Sequence, residues 1–218
     1  IARKFASEGA QVLAADINGA GAASMAQEIG AADVQVDVSD GASVAALAEQ
    51  AHALWGQTDI LVNNAGITHQ PAALEDVTED DFDRVLAVNA YSVYLASRHF
   101  VPAMKTRGKG VILNVASTAG VSPRPRLNWD NASKGWMITA TKAMAVELAP
   151  FGIRVNALNP VAGETPLLSS FMGGDTPEIR AKFLSTIPLG RFSQPEDLGN
   201  AAAFLCSDEA SMITGVGL

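Results

Sequence analysis

A single cysteine, Cys206, stands in a chain of 218 residues, which excludes an internal disulfide framework and fits a reducing compartment. Long apolar runs are missing as well. The hydrophobic stretches are strand-length and interrupted, so none reads as a membrane span or a signal peptide. Basic clusters are scarce: 15 lysines and arginines face 23 acidic residues, and the net charge of −8 leaves no basic stripe for nucleic acid. The nearest approach to one is Arg124 with Arg126. Low-complexity tracts, internal repeats and linker-like stretches are also lacking. With 48% hydrophobic and 17% charged residues, the chain is expected to be one soluble, acidic, cytoplasmic domain with a sizeable core.

What is present is alternation. Strand-like apolar runs take turns with helical patterns, which predicts an α/β fold of the Rossmann type, a doubly wound parallel sheet with helices on both faces. Strands are predicted at Val12–Asp16, Val34–Val38, Ile60–Asn63, Val111–Ala116 and Ile153–Leu158. Helices are predicted at Ala20–Ile29, Ala42–Trp55, Glu79–Lys105, Asp130–Leu148 and Pro195–Cys206. Thr78 with Glu79, Asp80 and Asp81 reads as a helix cap with carboxylates on the positive end of the dipole, a structural role. Residues 163–190, rich in Gly, Pro and Thr, read as a mobile flap over a substrate. The chain opens at Ile1 inside an amphipathic helix and closes on Thr214–Leu218, a strand pattern that barely begins. This reads as a fragment of a longer domain, lacking the first strand that would join the halves of the sheet, and such a fragment is expected to fold poorly alone.

Several residues carry chemistry in this frame. Asp16, at the end of its strand, suits a bond to a ribose 2′-hydroxyl and would repel a 2′-phosphate, favouring NAD over NADP; capping of the next turn is the alternative. Asn63-Asn64-Ala65-Gly66 ends another strand, where small residues admit a close backbone approach. Ser117 follows the Val111–Ala116 run, and Asn128-Trp129-Asp130-Asn131-Ala132-Ser133-Lys134 opens a helix with Asp130 and Lys134 one turn apart. His52, His69 and His99 have no metal-ligand spacing; His69, after the Asn63–Gly66 loop, could face the site, but reads first as a surface-loop residue. Tyr91 and Tyr94, the only tyrosines, read as packing residues of the long helix, and Cys206 as core. Arg126 is placed to pair with Asp130, the two arginines together could meet an anionic substrate, or they form a solvated pair on a loop.

These motifs together resemble the short-chain dehydrogenase/reductase family, in its sugar-dehydrogenase and ketoacyl-reductase-like branch, over essentially the whole chain. The resemblance implies an NAD-dependent oxidoreductase that interconverts a small alcohol, sugar or polyol with its ketone or aldehyde, in a homo-oligomer, commonly a tetramer. It implies a catalytic set of Asn89, Ser117, Lys134 and the residue at position 130. It also implies cofactor contacts from Asp16, Asp37, Val38, Asn64, Ala65, Gly66, Lys134, Pro160 and Thr165; Val161 stands where the family has glycine. At position 130 the family has tyrosine, the general acid/base, and this chain has aspartate. An aspartate carboxyl ordinarily titrates at about 3.9, against about 10 for tyrosine, and Lys134 is nearby, so Asp130 is expected to be ionised at neutral pH and useless as an acid. An enzyme impaired in proton transfer is the leading expectation. A catalytically silent nucleotide-binding or hetero-oligomer subunit is the alternative, and an engineered or erroneous change from tyrosine is a third.

Overall fold

A computed structural model describes residues 1–165 and 168–218. The short helix α1 (Ala2–Ser7) leads into strand β1 (Leu13–Asp16), helix α2 (Gly19–Ile29), strand β2 (Ala32–Gln35), helix α3 (Gly41–Trp55) and strand β3 (Ile60–Asn63). After a 3-10 turn, α4 (Glu79–Leu86) passes through a π-helical turn (Ala87–Tyr91) into α5 (Ser92–Arg107). Strand β4 (Gly110–Val115), helix α6 (Asn128–Leu148) and strand β5 (Ile153–Leu158) follow. Helices α7 (Leu168–Met172), α8 (Pro177–Leu184) and α9 (Pro195–Cys206) complete the order.

Local chemistry sets these boundaries. Asn18, Asp40 and Thr78 each accept a backbone N–H with their side chains at the start of α2, α3 and α4, satisfying donors that the first helical turn leaves free. Gly56 stops α3 in the left-handed conformation, φ 71°, which costs glycine little. The first turn of α4 is acidic as expected for the N-terminal end of a helix dipole. Two boundaries differ from expectation. Strand β2 begins and ends earlier than the Val34–Val38 run, leaving Asp37 and Val38 in the following turn. The single long helix expected from Glu79 is divided by the π turn, which carries Asn89.

All ladders are parallel. β1 pairs with β2 from Leu13↔Ala32 to Asp16↔Gln35, and β4 lies between β3 and β5. Alternate residues of β4 serve opposite layers. Ile112 packs with Met104 of α5 and Leu148 of α6, while Val111 and Leu113 pack with Ala202 and Leu205 of α9. This double burial is why the strand is a continuous apolar run, and each such side chain contributes about 1.5–3 kcal/mol of transfer free energy. Gly215–Leu218 runs beside β5, with Gly215 N–H donating to the Val155 carbonyl at 2.8 Å and Leu218 N–H to Ala157 at 3.0 Å.

β1 and β3 do not pair. A cleft of about 1040 Å³ separates them, walled by Leu13 and Ala15 on one side and Ile60 and Val62 on the other, and opening toward Asp16 and Asn64. The expected flap, 163–190, contains α7 and α8, and its Leu168, Met172 and Ile187 form a small core with Phe192 just beyond it; positions 166 and 167 lie outside the described residues.

Candidate active site

The carboxyl ends of β3, β4 and β5 converge on the first turns of α6. Asn89 is the knot. Its Oδ1 accepts the Ile67 N–H at 2.9 Å, and its Nδ2 donates to the Ile67 carbonyl at 2.9 Å, to Ser133 Oγ at 2.9 Å and to Asp130 Oδ1 at 3.4 Å. One fully buried amide therefore ties the loop after β3 to α6. The π turn that presents it is a feature that recurs at functional sites, because the extra residue per turn displaces one side chain from the helical face.

Lys134 is buried and donates from Nζ to the Val115 carbonyl at 3.2 Å. A Cβ on Gly66 would stand 3.1 Å from that Nζ and 3.5 Å from Asn89 Oδ1, so glycine is what lets the β3 loop lie against the ammonium. Ser117 lies two residues beyond β4, where its Oγ accepts the Ala119 N–H at 3.0 Å and donates toward the Pro160 carbonyl at 3.5 Å. The turn after it presses on α6 at Gly120: a Cβ there would meet Gly135 N and Lys134 C, both at 2.7 Å. Asn63 donates to Asn114 Oδ1 and Asn114 donates to Thr141 Oγ1, each at 2.8 Å, bracing β3, β4 and α6 beneath the site.

Asp130 is 5% exposed and forms no salt bridge among the described residues. Burial pushes its carboxyl above the ordinary aspartate range, with Lys134 and then His69 opposing that rise. Burial also lowers the Lys134 pKa, against the pull of Asp130. Lys134 favours the Asp130 anion, as expected, but desolvation is the larger effect and the net shift is upward. Other expectations change too. His69 is no surface residue but 3% exposed, its Nδ1 against the Gln70 carbonyl at 2.8 Å and its Nε2 buried with no partner among the described residues. Arg126 does not pair with Asp130 but reaches the Pro71 carbonyl at 3.3 Å. Tyr91 and Tyr94 stack on each other, 5.6 Å between ring centroids, and are half-exposed rather than packed in the core. Cys206 is buried as expected, which pushes its thiol up to about 12.

The remaining sequence candidates line the carboxyl ends of the strands. Asp16 ends β1, exposed, and its Oδ1 accepts the Asn18 N–H at 2.9 Å. Asp37 accepts the N–H and hydroxyl of Ser39, which lower its pKa, and Val38 sits beside it in the turn. Asn64 and Ala65 are exposed after β3, and Thr165 is exposed beyond Pro160. Asn159 Oδ1, just after β5, is buried without a donor among the described residues. The missed residue is His69; it sits in an irregular loop whose sequence carries no burial signal.

A parallel sheet whose strand ends gather exposed small residues, an acidic strand terminus, a buried lysine and an adjacent serine defines a nucleotide-dependent oxidoreductase of the Rossmann type. The family model described as enoyl-(acyl carrier protein) reductase matches residues 1–218. The chain belongs to the short-chain dehydrogenase/reductase family. It is 49% identical over 224 residues to 4-formylbenzenesulfonate dehydrogenase of Comamonas testosteroni, covering 100% of this chain and 89% of that one. It is 39% identical over 217 residues to a 3-oxoacyl-[acyl-carrier-protein] reductase of Thermotoga maritima, covering 97% and 86%. The crystal structure of 3-ketoacyl-(acyl-carrier-protein) reductase from Brucella melitensis, complexed with NADH, superposes with a TM-score of 0.94 at 52% identity, covering 100% of this chain and 88% of that one.

Proposed function

We propose that this chain is an NAD-dependent oxidoreductase scaffold for a small alcohol and its aldehyde or ketone, impaired at proton transfer by Asp130. The observation that carries this reading is the buried Asp130 carboxyl, 3.4 Å from the Asn89 amide that also bonds Ser133, one helical turn before the buried Lys134. A nicotinamide cofactor fits the residues present: Asn64 and Ala65 are exposed, Gly66 allows a close approach, and Asn159 Oδ1 is a buried acceptor without a donor. Asp16, Asp37, Val38, Pro160, Thr165 and Lys134 would complete its site, and Asp16 favours NAD over NADP. When bound, the cofactor accepts or donates the hydride.

The chain's own residues then have separable tasks. Ser117 orients the substrate oxygen with its hydroxyl, Lys134 supplies positive charge near it, and Asn89 fixes the loop and helix that carry them. Position 130 handles the proton. Burial raises the pKa of the Asp130 carboxyl, and its anion would repel a developing alkoxide. Losing a matched general acid/base costs roughly 10²–10⁴-fold.

The relative named for 4-formylbenzenesulfonate supports an aromatic aldehyde, or its alcohol, among the candidate substrates. Half-exposed Tyr91 of the π turn, Tyr94 of α5 and Trp136 of α6 support a homo-oligomer, and the buried free thiol of Cys206 supports a cytoplasmic site of action. A second reading, a silent nucleotide-binding subunit, is favoured by cofactor-facing elements that stay in register around an altered proton carrier.

The test compares the native chain with Asp130→Tyr, measuring NAD binding and benzyl-alcohol oxidation. Recovery of at least 100-fold in turnover supports the impaired enzyme. NAD binding with no turnover in either form favours the silent subunit, and full turnover in the native chain would refute the impairment.

A further inference from the structure

Two guanidinium groups between Ser117 and Asp130 have no part in the redox chemistry above. Arg126 lies at the surface with φ 69°, its carbonyl accepting the Ala72 N–H at 3.0 Å, so the segment is clamped to the loop that follows β3. Arg124 is half-buried and held on three sides. Its Nη2 donates to Thr186 Oγ1 at 3.0 Å, its guanidinium lies 4.4 Å from the Phe183 ring centroid, and its carbonyl accepts Asn131 Nδ2 at 2.7 Å. Asn131 adjoins Asp130, so Arg124 is anchored to the helix turn that carries the reaction.

What Arg124 lacks is a counter-charge. Arg3, Arg84, Arg107, Arg180 and Arg191 each reach a carboxylate, whereas among the described residues Arg124, like Arg98, Arg126 and Arg154, reaches none, in a chain with an excess of acidic groups. Burial lowers its pKa, with no anion acting against the effect. A partly desolvated, pre-positioned guanidinium is suited to a planar oxyanion, because the charge-assisted bonds are strong and little side-chain freedom is lost on binding.

We infer that Arg124 is a specificity-determining residue that binds an oxyanion, carboxylate or sulfonate, at the far end of a small alcohol or carbonyl substrate. This assignment rests on the oxidoreductase reading and adds the substrate's charge to it. The segment's position supports it: Arg124 lies between Ser117 and Asp130 in the chain and ties that segment to Phe183 of α8 and to Thr186 just beyond it.

Calorimetric titration of the full chain, saturated with NAD, against benzenesulfonate, benzoate and neutral benzenesulfonamide tests it. The native chain is expected to prefer the charged probes, with the ratio of the two anions showing whether sulfonate or carboxylate fits better. Arg124→Gln should weaken both anions about 10- to 100-fold and leave benzenesulfonamide unchanged. Arg124→Lys should recover part of the loss, and Arg126→Gln should alter none of the three. An equal fall for the neutral probe would show a merely structural arginine and overturn the assignment. So would NAD binding without any preference for the anions, which leaves the oxidoreductase reading standing. Failure of the native chain to bind NAD would bring down that reading and this inference together.

Discussion

The pH dependence of folding isolates the buried carboxyl at position 130. Its folded-state pKa is raised, mainly by burial, with Lys134 and His69 acting the other way. For a group raised in this way, the stability it contributes is fully present below its unfolded value, about 3.9, and is lost as pH rises through the folded value. The variant Asp130→Asn keeps the size and lacks the titration. The difference in unfolding free energy, native minus variant, should therefore fall as pH is raised from about 4. One proton limits the slope to about 1.4 kcal/mol per pH unit, with the fall ending above the folded pKa. Urea denaturation at half-unit steps from pH 4 to 7.5 measures it, with the midpoint and slope fitted at each step. This window stays below the titration of Lys134 unless burial has lowered that group far, which would appear as a second break. Repeating the series in a His69→Gln background removes the imidazole as a titrating neighbour. A difference that is flat or rises with pH would refute the burial argument and restore a carboxylate held ionised by Lys134.

Three further outcomes follow from named contacts. Asn89→Ala leaves both backbone groups of Ile67 and the Ser133 hydroxyl without their 2.9 Å partner, and is expected to cost about 2–4 kcal/mol in urea denaturation; a loss under about 1 kcal/mol would contradict the knot. Gly120→Ala forces a Cβ to 2.7 Å from the α6 backbone and should destabilise by about 1–3 kcal/mol, whereas Gly135→Ala, with 3.5 Å to Gly120 O, should be neutral or gain up to about 1 kcal/mol of helix propensity. Equal effects at the two glycines would count against the close approach. In hydrogen exchange, amides of β4, paired on both sides, should be protected far longer than those of the turn at Ser117–Gly120; equal exchange would contradict the central place of β4 between β3 and β5.

Much of this architecture was legible because parallel strands buried on both faces are short apolar runs bounded by turns. β3, β5 and α9 have the bounds their residue patterns suggested. β2 did not, because Val36 is buried beyond the last paired residue and so extends the apolar signal past the ladder. The π turn at Asn89 left no mark, since one extra residue in a long helix hardly disturbs a 3.6-residue period. Tyr91 and Tyr94 misled for a related reason: an aromatic pair on a helix looks like core until the neighbouring layer is known. The upward shift of the Asp130 pKa was out of reach altogether. Spacing along a helix reveals the charged neighbour Lys134, but desolvation depends on the loop carrying Ile67 and His69, distant in sequence.

The same contacts show how little of the scaffold depends on the side chain at position 130. The bonds that hold the site together run from Asn89 to Ile67 and Ser133, and from Lys134 to Val115, and none of them uses the side chain at position 130. Asp130 itself contributes one long contact, 3.4 Å from Asn89 Nδ2, while its backbone carbonyl accepts the Ser133 hydroxyl at 2.7 Å, a bond any residue could supply. Position 130 is therefore light in architectural duties, and a substitution there is expected to leave its surroundings in place. Intact neighbours accordingly say nothing about whether the chain turns over substrate, and only an assay that varies position 130 itself, such as Asp130→Tyr, decides it.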